Sequence, residues 1–275
     1  MTIATRNRFI RISTSLSLAL VCATSVSIFL IAFRGLVPAA PPGIRPMPFL
    51  DNFFLTPYSA YATIAAIGIF PFFSLAGLIY ILFAFEKTQT VEMTFFATCV
   101  FAVSLESVRL AVPLFDLWTN ANFFLATLTR AVFFSRLFTL LALLASALFA
   151  TGNTVQQVGP SIFLLAFVSF SFSNSIPLNS GDFSSHFMIV SGYKGAISLF
   201  FILLGTLSTL SYVILGKTHA IQEYSVAATG IILLLSGYLL LSTCDSWLFF
   251  IVGSVLIFYG ARRYLKPLHM YYLWQ

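Results

Sequence analysis

The sequence is poor in charged residues. Only 8% of its 275 residues are Asp, Glu, Lys or Arg, whereas a soluble globular domain carries about 25%. So few charges cannot cover a water-facing surface, and 59% of the residues are hydrophobic, with a mean hydropathy of +0.98. The composition therefore excludes a soluble enzyme or a disordered chain and indicates an integral membrane protein.

Cysteine and histidine are also scarce, with three residues of each. The cysteines lie in apolar surroundings without paired spacing, so they predict neither disulfides nor a zinc site. Asp182 and His186 are four residues apart, but two ligands do not make a metal site. The longest basic run is Arg262-Arg263, so the net charge of +6 indicates membrane topology rather than nucleic-acid binding. We expect no metal, no cofactor and no nucleic-acid partner.

Long uncharged runs predict the membrane spans, because a helix needs about 20 apolar residues to cross the hydrocarbon core. Proline clusters and short polar turns separate these runs. We predict one integral membrane domain, 1–275, with spans at about 12–33, 58–85, 93–112, 122–150, 160–176, 188–215, 226–243 and 246–261.

The last two of these spans depend on one acidic residue. Residues 226–259 contain a single charge, Asp245. One helix of that length would measure about 51 Å, which is far longer than a hydrocarbon core of about 30 Å. Two shorter helices joined by a turn at Asp245 therefore fit better.

The distribution of basic residues supports the same count. With eight spans and a cytoplasmic N-terminus, eight basic residues lie inside and only Arg34 and Arg45 lie outside. Seven spans, the alternative, would place five on each side. The positive-inside rule thus favours an all-α polytopic transmembrane bundle of about eight spans, with both termini cytoplasmic, in the cell's inner (plasma) membrane.

Several features are assigned to the cytoplasmic boundary. Glu92 is placed in an inner polar turn just before the third span, and the tail from His269 to Trp274 is expected at headgroup depth. Small residues at heptad spacing predict close packing of the last two spans. These residues are Gly230 and Gly237 on the seventh span and Gly253 and Gly260 on the eighth.

Five charged residues fall inside the predicted spans. They are Glu106 and Arg109 on the third, Arg130 and Arg136 on the fourth, and Lys194 on the sixth. Each costs about 2.5 to 3.5 kcal/mol at mid-bilayer, so such groups usually face the bundle interior and have partners. Because spans three and four are joined by a short turn, we expect a Glu106–Arg130 ion pair. Arg136 lies about 120° away from Arg130 around the helix and needs a partner of its own.

These charges also suggest a function. Four cations against one acid leave three positive charges in the spans without a protein anion. Clamps between helices would be a purely structural role. An anionic ligand, a lipid headgroup or an acid of a partner subunit would neutralise the surplus. We therefore expect a non-enzymatic sensor, receptor or binding subunit whose basic pocket in the outer leaflet takes an anionic small molecule or lipid.

Two other functions remain open at this point. Transport of an organic anion is the first alternative, and a membrane enzyme of lipid metabolism with Glu106 as its base is the second. The chain carries none of the familiar hydrolase or phosphate-binding motifs, so no catalytic residue is predicted. Membrane lipids, a partner subunit or a second copy of the chain are the expected partners.

Overall fold

The computed structural model describes residues 3–37, 55, 57–86, 90–117, 123–150, 158–218 and 221–273, with the backbone alone for 179–182. Within this part, eight helical segments are long and apolar enough to cross a membrane, and the structure is 86% helical. The prediction of a helical bundle of about eight spans is confirmed. The chain is a multi-pass integral membrane protein.

The third span is a composite of three helical pieces, whereas each of the other spans is a single α-helix. In chain order the elements are α1 (Ile3–Arg34), α2 (Ala60–Ala84), α3 (Val91–Ser104), a 3₁₀ helix (Leu105–Leu110), α4 (Ala111–Leu114), α5 (Phe123–Phe149), α6 (Val158–Ser175), β1 (Leu178–Ser184), β2 (Met188–Ser191), α7 (Lys194–Thr218), α8 (Gln222–Ser242) and α9 (Trp247–Leu273).

Two helices extend well beyond the predicted spans. The first begins at Ile3 rather than 12, and the last continues to Leu273 rather than ending at 261. Both predictions stopped at charged residues, but a helix can continue into the interface while its long basic side chains reach water. Pro267 lies inside α9, so the residues after Lys266 continue the last helix, and their predicted headgroup depth stays a prediction.

The predicted start of the sixth span, at 188, is also wrong. Residues 188–191 form β2, which pairs antiparallel with β1, and helix α7 begins at Lys194. The apolar run Met188–Val190 predicts a helix because it is continuous with the apolar residues that follow. Phe187 turns the hairpin with φ +63°, and the amide of Ile189 donates to Thr129 Oγ1 of α5 at 3.1 Å. The hairpin is thereby attached to the bundle.

The two ends of the bundle are defined by their contacts. At what we call the termini end, Arg6 of α1 donates to the carbonyls of Phe85 and Glu86. At the hairpin end, the β1–β2 hairpin packs near the turn between α8 and α9. The ring of Phe85 also packs against that of His269 in α9, so the start of α1 and the end of α9 lie at the same end of the bundle.

Helices α8 and α9 lie in close contact along their glycines. A Cβ atom built on Gly237 would lie 2.8 Å from the carbonyl oxygen of Gly253, and one on Gly230 would lie 2.9 Å from that of Gly260. Real Cβ atoms are not found that close, so only glycine allows this approach. The predicted use of these residues for close packing agrees with the structure.

Candidate functional site

Glu106 and Arg109 lie on the 3₁₀ segment of the third span. Side chains three residues apart are eclipsed in a 3₁₀ helix, so the two groups stand side by side. Arg109 Nη2 lies 2.6 Å from Glu106 Oε2, and the side chains are 1% and 0% exposed. The predicted continuous α-helix over 93–112 is therefore interrupted at the residues that carry its charges.

Arg136 of α5 approaches the other carboxylate oxygen. Its Nε lies 2.9 Å from Glu106 Oε1, and the hydroxyl of Tyr238 on α8 donates to the same oxygen at 2.9 Å. Both oxygens of this carboxylate are thus engaged. A carboxylate held in this way is not free to act as a general base, and this arrangement gives no support to the enzyme alternative.

The C-terminal end of α8 completes the site. The carbonyl oxygen of Ser242, its last residue, accepts from Arg109 Nη1 at 3.0 Å and from Arg136 Nη2 at 3.3 Å. The last carbonyls of a helix have no partner within the helix and carry a partial negative charge. Two guanidinium groups therefore cap α8. We call Glu106, Arg109, Arg136, Tyr238 and the Ser242 carbonyl the Glu106 cluster.

His186 of the hairpin turn lies beside this cluster. Its carbonyl oxygen is 3.5 Å from Arg109 Nη1. Burial, together with the positive charges of Arg109 and Arg136, lowers the pKa of the His186 imidazole from 6.5 to about 3. The imidazole is therefore neutral at physiological pH, and the surroundings of the cluster disfavour an additional cation.

Arg130 does not pair with Glu106, so the expected ion pair is wrong. Arg136 occupies that place instead, one and two-thirds turns further along α5. Arg130 is partly buried, and its Nε has no hydrogen-bond partner among the described residues. Sequence spacing alone cannot tell which of two arginines faces the neighbouring helix, because that depends on how the helices are rotated.

Lys194 is not enclosed in the bundle. It is the first residue of α7 and is exposed, because the hairpin takes up the residues before it. The surplus of positive charge in the described spans is thereby smaller than the sequence suggested. Within the Glu106 cluster, two arginines share one carboxylate and one helix terminus, which leaves a net charge of about one unit.

A cavity of about 560 Å³ adjoins the cluster between α5, α7 and α8. Its volume falls within the range of about 300 to 1,000 Å³ that is usual for ligand sites. Arg136, Tyr238 and Ser242 of the cluster line it, and so do apolar residues of α7 and α8. We call this cavity the α7–α8 groove.

The groove is elongated and open at the side of the bundle. It follows α7 from Ser198 to Leu210, about 18 Å, and α8 from Ile232 to Ser242, about 15 Å. Several lining residues are also about half exposed on the outer surface, including Ile202 at 57% and Leu210 at 54%. The groove is therefore open to the outer surface of the bundle.

A second buried carboxyl was missed by the sequence reasoning. Glu92 lies in α3, not in a polar turn, and is 1% exposed. The hydroxyl of Tyr272 on α9 donates to Glu92 Oε1 at 2.9 Å and lies 3.0 Å from the hydroxyl of Tyr224 on α8. This carboxyl is fourteen positions before Glu106 on the same span and lies near the termini end.

More hydroxyl groups surround the same position. Ser146 of α5 donates to the Glu92 carbonyl at 2.9 Å, and its oxygen lies 3.0 Å from the hydroxyl of Tyr212 on α7. The hydroxyls of Tyr212 and Tyr264 are 2.7 Å apart. We call Glu92, Ser146, Tyr212, Tyr224, Tyr264 and Tyr272 the Glu92 cluster. The recurrence of tyrosine at the termini end of three spans was its only sequence signal.

The described residues contain no group of three His, Cys, Asp or Glu side chains that could hold a metal ion. No protein-family model matches the chain. The chain is similar to an uncharacterized protein of Treponema pallidum (strain Nichols), with 28% identity over an alignment of 346 residues that covers 100% of both chains. That similarity extends over the full length but assigns no activity.

Proposed function

We propose that this chain is a membrane-embedded binding protein, either a sensor or the binding subunit of a larger assembly, whose ligand is an anionic lipid. The observation that carries the proposal is the α7–α8 groove, which is apolar along its length and has Arg136 at one end. The connections between spans at the termini end are too short to form an output domain themselves.

The groove has the polarity of a lipid. Arg136, Tyr238 and Ser242 lie toward the hairpin end, whereas Leu210 and Ile232 lie toward the middle of the bundle. The hydroxyls that line the middle donate to carbonyls of their own helices, which leaves the wall largely apolar there. These are Thr206, Thr209 and Ser236. A lipid would therefore fit with its headgroup beside Arg136 and its acyl chain along the apolar wall.

Arg136 has donors to spare for an anion. A guanidinium group carries five N–H donors, and the contacts with Glu106 and Ser242 use two of its nitrogens. It is also the more accessible arginine of the cluster, with 16% of its side chain exposed compared with 1% for Arg109. A phosphate or carboxylate can therefore be bound without breaking the internal ion pair.

We propose that the hairpin end faces outward. The basic residues concentrate at the termini end, where the positive-inside rule places the cytoplasm. The groove would then take its ligand from the outer leaflet of the inner (plasma) membrane. Cysteine substitution at Tyr193, which is 68% exposed beside the hairpin, would make this end reactive to a membrane-impermeant thiol reagent in intact cells.

Lipid binding can be measured by native mass spectrometry on the purified protein. We would compare phosphatidylglycerol with phosphatidylcholine carrying the same acyl chains. The wild type should retain the anionic lipid preferentially, and Arg136→Gln should remove that preference at least tenfold. Gly205→Leu should reduce binding of both lipids, because a side chain there enters the groove against Leu235, 3.3 Å from the new Cβ.

Matched controls separate the groove from general damage. Gly195→Leu lies on the same helix in open space, and Arg263→Gln removes an exposed arginine of α9. Neither should change lipid binding. The proposal would be contradicted if the wild type retained both lipids equally, or if Arg136→Gln kept the preference for the anionic lipid. Displacement of the lipid by soluble glycerol phosphate would mean that the ligand is a free anion.

Transport of an organic anion is a second candidate, favoured by the 3₁₀ segment Leu105–Leu110. Such stretches within a span often mark hinges, and transporters bind substrate at discontinuous helices. Reconstituted vesicles would distinguish the two functions. Flux of the bound anion across the bilayer, abolished in Arg136→Gln, would support transport over simple binding.

A further inference from the structure

Glu92 is buried where five helices meet, and its environment differs from that of an ion pair. The ion pairs of the described residues join Arg11 to Glu86 and both Arg109 and Arg136 to Glu106, and none of them includes Glu92. Tyr272 donates to Oε1, while Oε2 receives no hydrogen bond from a described residue. A charged carboxylate without a cation is costly to bury.

From this arrangement we propose that Glu92 is a proton-binding site, which holds a proton in the folded bundle and exchanges it reversibly with water at the termini end. Its carboxyl O–H bond breaks with the electron pair left on oxygen, and the proton passes to a water molecule. The return step restores the acid. This inference is independent of lipid binding in the α7–α8 groove.

The groups around Glu92 favour a proton over a metal ion. Glu92, Tyr212 and Tyr264 are each at most 1% exposed, and the hydroxyl groups are already in direct contact at 2.7 to 3.3 Å. These distances are those of hydrogen bonds, and the described residues here do not provide the three His, Cys, Asp or Glu side chains that could hold a metal ion. A proton needs only a lone pair, which Oε2 provides.

Among the described residues, the titratable groups that interact with Glu92 are tyrosines. They come from every helix of the cluster that carries a titratable side chain: Tyr212 from α7, Tyr224 from α8, and Tyr264 and Tyr272 from α9. The α5 contribution is the Ser146 hydroxyl. Phenols are neutral at physiological pH, so none of them supplies a counter-charge when the proton leaves. Loss of the proton therefore weakens the contacts between α9 and the rest of the Glu92 cluster.

The position of Glu92 along its span places it close to water. Glu92 is the second residue of α3, within one turn of the start of the helix. Ser146 and Tyr272 likewise lie close to the termini-end limits of their helices. A proton thus has a short path to the membrane surface on this side, while the Glu106 cluster is about 21 Å further along the span.

Infrared spectroscopy of the full-length protein in nanodiscs tests the inference. The wild type should show a protonated-carboxyl C=O band at pH 6 that shifts in heavy water and disappears reversibly as the pH is raised to 10. Glu92→Gln should lack this band. Glu86→Gln, which alters an exposed glutamate six residues away, should retain it. A band that survives in Glu92→Gln, or one that never titrates, would overturn the proposal.

A second variant keeps the test valid if Glu92→Gln does not fold. Tyr272→Phe retains the carboxyl but removes the hydroxyl that donates to Oε1. The band should persist and move in frequency, because the hydrogen bond to the carboxyl has been lost. An unmoved band would assign it to another group and contradict the proposal. Lipid retention is a separate readout, so failure of either proposal leaves the other standing.

Discussion

Glu106 and Glu92 are two carboxyls of the same span, and both are almost completely buried. The first is surrounded by two arginines, a tyrosine and the carbonyl end of a helix. Among the described residues, the side chains that donate to the second are the hydroxyl groups of Tyr272 and Ser146. Burial is equal in the two places, but the partners differ in charge.

The difference shows two ways of keeping an acid inside a membrane protein. Glu106 remains ionised because its attraction to the two guanidinium groups offsets the free-energy cost of burying its charge. No described residue gives Glu92 such a cation, and the proton-binding proposal follows from that. One region is thus a fixed ion cluster beside a ligand-sized groove, and the other is a packed hydroxyl network that a change of protonation would disturb.

Substitution of each acid by its amide should give the largest difference in stability between the two sites. Glu106→Gln leaves Arg109 and Arg136 without a carboxylate, and removing one partner of a buried pair costs about 3 to 5 kcal/mol. Glu92→Gln replaces a neutral acid by a neutral amide of similar shape and should cost much less at pH 7. Thermal unfolding in one detergent would measure both. Equal losses would mean that Glu92 is ionised as well.

Removing the tyrosine hydroxyl that donates to each acid should give a smaller difference in stability. Tyr238→Phe deletes a hydrogen bond to a charged group, worth about 1.5 to 3 kcal/mol, and Tyr272→Phe deletes one to a neutral group, worth about 0.5 to 1.5 kcal/mol. The same unfolding measurement should therefore rank Tyr238→Phe as more destabilising. The reverse order would assign the greater charge to Glu92.

Acid titration beside the Glu106 cluster gives a further test, whose effect grows as the pH falls. The pKa of His186 falls from 6.5 to about 3 in the folded protein, so between these values the unfolded chain binds a proton that the folded chain does not. Stability should fall as the pH is lowered through this window. His186→Gln should show a weaker decline in unfolding temperature from pH 7 to 4.5, and identical profiles would contradict this.

The spans were predictable because each long apolar run must cross the membrane as a helix with its backbone groups paired internally. The errors lie where that rule has no force. Met188–Ser191 is apolar enough for a helix but pairs as a strand, since neighbouring helices bury it. The predicted start of α1 was too late and the predicted end of α9 was too early, because a helix continues freely into the interface.

The candidate site was predictable only in part. Glu106, Arg109 and Arg136 were identified because an intramembrane charge needs a reason to be there, and the structure brings these three together. It does not bring Arg130 or Lys194 to them. Glu92 was overlooked because a glutamate next to a polar turn resembles an ordinary surface residue, and its burial depends on four tyrosines distant in sequence.

The scarcity of charge by itself determined that this chain is a membrane protein of about eight helices, because hydrocarbon leaves a chain of this composition few other structures. Only the tertiary structure decided which arginine meets Glu106, where the groove lies and that Glu92 is enclosed by hydroxyl groups. Those outcomes depend on the rotation and tilt of each helix. Packing between distant segments sets both, and no local pattern in the sequence records them.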